Sequence, residues 1–76
     1  MNKEKIIQLC KEISTENNIS FYYMEDEFRQ VIILKFRKDF KGYLFEISYL
    51  EINSIKNLDD LKYFLTNRLK KNNMID

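Results

Sequence analysis

Two runs rich in β-forming residues, Val31-Ile32-Ile33-Leu34-Lys35-Phe36-Arg37 and Tyr43-Leu44-Phe45-Glu46-Ile47-Ser48-Tyr49-Leu50, flank a short polar break beside Gly42, the chain's only glycine. β-branched and aromatic side chains suit a pleated, half-buried surface, so the two runs read as a β-hairpin. Gly42 is expected to supply the positive φ that a tight turn often needs. With Lys38, Asp39, Phe40 and Lys41 as the loop, Phe36 faces Tyr43, Leu34 faces Phe45 and Ile32 faces Ile47. Side chains alternate across a strand, so those six share one apolar face, which is the expected core. The other face sets Val31, Ile33, Lys35 and Arg37 against Leu44, Glu46, Ser48 and Leu50, and is expected to point outward.

The flanking segments supply a cover for the apolar face. Residues 3–16 place Ile6, Leu9, Cys10 and Ile13 at helical spacing behind Asn2, a good N-cap, with Asn17 or Asn18 suited to end the helix. Ile19-Ser20-Phe21-Tyr22-Tyr23 reads as a first strand, and Met24-Glu25-Asp26-Glu27 as a turn into a central strand over 28–37. Asn57 caps a last helix with the apolar stripe Leu58, Leu61, Phe64, Leu65 and Leu69. Asp59 and Asp60 sit in its first turn, and Arg68, Lys70 and Lys71 lie near its end, as the helix dipole favours. Asn72 to Asp76 is expected to fray. The 76 residues therefore predict one small α+β domain, α-β-β-β-α, with a three-stranded antiparallel meander and both helices on one face.

The residue inventory argues against catalysis. The chain has no histidine, so the usual general base near neutral pH is missing and no Ser–His or Cys–His pair can form. Cys10 lies on an apolar helix stripe, where cysteine behaves as a small hydrophobe. One glycine cannot build a phosphate-binding loop, and one cysteine without histidine gives zinc no site. Glu25-Asp26-Glu27 lacks the alternating ligands of a calcium loop and reads as a solvated turn. No enzyme activity, cofactor or metal is expected. The single cysteine points to a reducing compartment, and the N-terminal residues lack the apolar core of a signal peptide. No apolar run is long enough for a membrane span, so a cytoplasmic protein with no membrane association is expected.

What remains is binding. The outward sheet face gathers Tyr22, Val31, Ile33, Leu44 and Leu50 among Arg29, Lys35, Arg37 and Glu46, an apolar patch with a charged rim. The alternative is a set of scattered surface hydrophobes covered by long Lys and Arg stems. Phe40, in the hairpin loop, either tucks under the sheet or stands out as an anchor for a partner's pocket. These residues are the candidate site for a protein partner, for a second copy of the chain, or for both. Nucleic acid is the second candidate, through Lys35, Arg37, Lys38 and Lys41 at one hairpin end. The net charge is +1, with residues 1–27 at −3 and residues 28–76 at +4. This falls short of a nucleic-acid binder's usual basic footprint.

The helix–meander–helix order of residues 3–71 is also that of double-stranded-RNA-binding domains. Those domains grip phosphates with the start of the second helix, and here that start reads Asn57-Leu58-Asp59-Asp60, which is acidic. The abundance of Ile, Lys and Asn, all with AT-rich codons, points to an AT-rich bacterial genome or its phage. Small size and element order together resemble phage-encoded host-defence inhibitors, among them the αβββα-type anti-CRISPR proteins that block Cas9. That resemblance implies a non-enzymatic inhibitor or regulator acting by steric occlusion. Several such inhibitors are strongly acidic mimics of nucleic acid, a pattern from which this chain departs.

Overall fold

A computed structural model describes residues 2–76. Helix α1 (Lys3–Glu16) leads into strands β1 (Ser20–Asp26), β2 (Val31–Lys38) and β3 (Lys41–Ser48). A short helix α2 (Tyr49–Ser54) and a longer one, α3 (Leu58–Lys71), complete the chain. The strands form one antiparallel sheet in the order β1-β2-β3. The hairpin register is the expected one: Phe36 pairs with Tyr43, Leu34 with Phe45 and Ile32 with Ile47. That face packs with Ile6, Leu9, Cys10 and Ile13 of α1, Ile52 of α2, and Leu61, Leu65 and Leu69 of α3. Among the described residues, no helix is long and apolar enough to cross a membrane.

The helix ends follow from their caps. Asn2 accepts from the Lys5 N–H at 3.0 Å and Asn57 from the Asp59 N–H at 2.8 Å, each stabilising its helix by about 1 kcal/mol. Both long helices close with the same device. Asn18 (φ 54°) and Asn73 (φ 59°) take the left-handed conformation that asparagine tolerates. The following residue then donates back into the last turn, Ile19 to the Ser14 carbonyl at 3.0 Å and Met74 to the Leu69 carbonyl at 2.9 Å. This return turns Met74 and Ile75 into the core, where both are buried. The expected fraying of residues 72–76 is therefore not what the structure shows.

Three boundaries also move. β1 runs on to Asp26, and the turn into β2 occupies residues 27–30, so the central strand starts at Val31 and leaves Phe28 exposed. Asp26 fixes this turn by accepting the Arg29 N–H at 3.0 Å, and Gln30 takes a positive φ of 56°. At the next turn the positive φ belongs to Asp39 (φ 54°), not to Gly42, which sits inside β3 opposite Arg37. A Cβ on Gly42 would meet only the Phe36 carbonyl oxygen, at 3.7 Å. Finally, β3 stops at Ser48. The Ser48 hydroxyl accepts the Glu51 N–H at 3.0 Å while the Glu51 carboxylate accepts the Ser48 N–H at 3.1 Å, a reciprocal cap that starts α2.

Candidate functional site

The outward face of the sheet is built in rows, because residues paired across strands point the same way. From the hairpin tip inward these are Ser20–Arg37–Gly42, Tyr22–Lys35–Leu44, Met24–Ile33–Glu46 and Asp26–Val31–Ser48. Phe40 stands at the tip, 101 % exposed. A shallow groove of about 490 Å³ opens between the tip and the first two rows, lined by Tyr22, Lys35, Arg37, Phe40, Gly42 and Leu44 among others. Ser20 and Gly42 are small, so Arg37 stands between two gaps. Its Nε lies 3.4 Å from the Asp39 carbonyl oxygen, drawing the guanidinium towards the tip. Lys41 Nζ reaches the Asn73 carbonyl at 3.3 Å and so ties the tip to the segment after α3.

The structure thus divides the expected site residues into two groups and removes one. Tyr22, Lys35, Arg37, Phe40 and Leu44 meet around the groove. Arg29, Val31, Ile33 and Glu46 lie at the opposite end of the face. There Arg29, on the β1–β2 turn, donates to Glu46 of β3 at 2.8 Å, and its guanidinium lies 4.0 Å from Asp26. The pair spans the end of β2, and that half of the face is correspondingly closed. Val31 is half-buried and Ile33 only 8 % exposed. Ile33 points away from the helices as expected, yet its neighbours cover it, so it does not offer the open apolar surface that the sequence suggests. Leu50 is not on the sheet at all. It lies on α2, exposed, because β3 ended two residues before it.

Met24 is the residue the sequence reading missed. Assigned there to a turn, it lies on β1 beside Ile33 and is half-exposed. The available signal was the unbroken run Phe21-Tyr22-Tyr23-Met24, which carries no turn-forming residue.

A second, smaller polar cluster joins three elements on the helix side. Glu25, at the end of β1, accepts from Lys3 Nζ through both carboxylate oxygens, each at 2.9 Å, and from the Tyr49 hydroxyl. The Lys3 and Tyr49 hydrogen bonds hold the Glu25 carboxyl below the usual carboxylate range. The same carboxylate raises the pKa of Lys3 and of Tyr49. Glu25 and Asp26 are thereby engaged in structural bonds. Cys10 is buried in the core, and that burial pushes its thiol up to about 12.

The groove end is cationic and partly apolar. It offers one protruding aromatic ring, a half-exposed tyrosine and leucine, and the cations Lys35, Arg37 and Lys41, while Lys38, expected there from the sequence, is half-buried and turned to the helix side. No family model, curated protein or solved structure matches the chain, so the reading of this site rests on its geometry.

Proposed function

We propose that the chain is a non-enzymatic protein-binding module of the cytoplasm, a small inhibitor or regulator of the kind mobile elements encode, acting by steric occlusion. The observation that carries this reading is Phe40, fully exposed at a two-residue hairpin tip beside the groove. Large rings that seat in a partner's pocket commonly dominate binding energy, and surrounding polar groups then set orientation. Here the surrounding groups are basic, so the complementary surface is acidic with an apolar hollow. A standard interface takes about 800 Å² from each partner. This is a modest share of the domain's 5381 Å².

The test is capture of a partner by the wild-type chain and by Phe40→Ser, after nuclease treatment of the host extract. Phe40→Ser should lose capture, Arg37→Glu should weaken it from the rim, and both should keep the wild-type melting temperature. Capture that is indifferent to Phe40 refutes the reading. A second reading draws on the same rings: Tyr22 and Phe40 among the three cations Lys35, Arg37 and Lys41 are what a single-stranded nucleic acid stacks on. Oligonucleotide binding that persists at physiological salt and disappears in Phe40→Ser would favour it over the first.

A further inference from the structure

β1 is an edge strand whose outer side pairs with nothing else among the described residues. Proteins usually protect such an edge with lysine, proline or a bulge. β1 has none of these: all seven residues pair with β2 in unbroken register, and its only charges are Glu25 and Asp26 at one end. β3, the other edge, carries Lys41 and Glu46 and runs straight into α2. Tyr22, Tyr23 and Met24 are 59 %, 50 % and 51 % exposed, so both rims of the β1 edge are apolar and the helices leave it open.

Strand parity determines what that edge presents. Gln30 accepts the Tyr49 N–H at 2.9 Å, and the two-residue turn closes on the Lys38–Lys41 pair. Even-numbered residues along β2 therefore bond β3, and the odd-numbered ones bond β1 at Ser20, Tyr22, Met24 and Asp26. The N–H and C=O groups of Phe21, Tyr23 and Glu25 consequently point outward. They form an evenly spaced set centred on Tyr23.

We infer that this edge pairs with the same edge of a second copy of the chain, antiparallel and with the two-fold axis at Tyr23. That alignment satisfies all six outward groups on each copy, with Tyr23 bonding Tyr23 and Phe21 bonding Glu25 in both directions. It brings Tyr22 of each copy opposite Met24 of the other, on the outward face, joining the half-exposed apolar side chains in pairs. Asp26 of one copy lands opposite Ser20 of the other, with Arg37 next in the row across that small side chain. The acidic end of the edge thus meets the uncharged end of its twin, backed by Arg37 on β2, whereas a parallel alignment would place acid beside acid. The result is a six-stranded sheet with the two Phe40 tips at opposite ends. This inference does not depend on what Phe40 binds.

Analytical sedimentation of the full chain should show a monomer–dimer equilibrium. In the dimer, the Phe21, Tyr23 and Glu25 amides should become protected from hydrogen exchange while the Ile33 and Leu44 amides are unchanged by association. Met24→Lys removes two Tyr22–Met24 contacts per dimer and should weaken association about tenfold. Tyr23→Pro deletes an outward donor without breaking any hydrogen bond inside one copy, and should leave only monomer. A chain that remains monomeric into the millimolar range overturns the inference, as does a dimer whose three edge amides exchange as in the monomer. Should Tyr23→Pro fail to fold, Met24→Lys decides, since its position is half-exposed: unchanged affinity in that variant overturns the inference.

Discussion

Met74 is the sharpest point at which to probe what holds the domain together. It follows Asn73 in the return turn after α3, and its side chain is 0 % exposed. Complete burial of a methionine stabilises by about 1.5–3 kcal/mol, and truncating one inside a packed core costs about 2–5 kcal/mol. A domain of this size with no disulfide has only about 3–5 kcal/mol to lose. Met74→Ala should therefore consume much of the net stability. At a loss of about 2 kcal/mol the melting temperature falls by roughly 8–16 °C. Met74→Leu, which conserves volume, should cost less than about 1.5 kcal/mol. Removing residues 74–76 takes Ile75 as well, a loss comparable to the whole, and should leave an unfolded chain. Circular dichroism melts and urea titrations of the four proteins measure this directly. If the shortened chain melts with the intact one, residues 74–75 are not part of the core and the account of the α3 end is wrong.

Three further outcomes are expected. Glu25→Gln should destabilise near neutral pH and lose its effect in acid. The folded pKa of Glu25 is lowered, so its contribution is full above the unfolded value near ~4.3 and fades as pH falls through the folded one. Equal pH–stability curves for wild type and variant would show that the Lys3–Glu25–Tyr49 cluster contributes nothing. Cys10 should resist a thiol reagent in the folded state and react quickly once unfolded, and rapid native labelling would place it outside the core. Ile33→Lys should lower stability by about 1–3 kcal/mol because the side chain is covered, although it lies outside the helix-side core. A melt identical to wild type would mean that the outward face is open at that residue.

The legible parts of the fold were those in which several local signals agree. The hairpin register followed from the wholly apolar ladder that a short loop makes of Ile32, Leu34 and Phe36 against Ile47, Phe45 and Tyr43, and a slip of one residue would have turned Leu34 and Phe36 to solvent. α3 was announced by its cap, its stripe and its charges together. The misreadings came where a short signal competed with a longer one. Ser48-Tyr49-Leu50-Glu51 is a capping sequence, but it lay inside a run of β-forming residues, and the run masked it. Asn72-Asn73-Met74 repeats the pattern Asn17-Asn18-Ile19, and in both the second asparagine carries the positive φ that ends the helix and orders the residue after it. Within the site, the sequence distinguishes outward from inward but not open from covered. Ile33 and Leu44 share one face and differ in exposure because Ile33 lies on the central strand, between Met24 and Glu46.

The meander order of the sheet also has a consequence in time. β1 meets β2 across a four-residue turn, and β2 meets β3 across two residues, so all strand pairing is between sequence neighbours. Such closures take microseconds and carry little loop entropy. The contact of α1 with α3, which includes the Glu16–Lys62 ion pair at 3.5 Å, must by contrast bridge residues 17–57. The hairpins can therefore form before the two helices find each other, and the docking of α3 is the step that should limit the folding rate. Until then the Leu34–Phe45 face lies bare, so the most association-prone moment in the life of this chain is the interval between a finished sheet and a seated last helix.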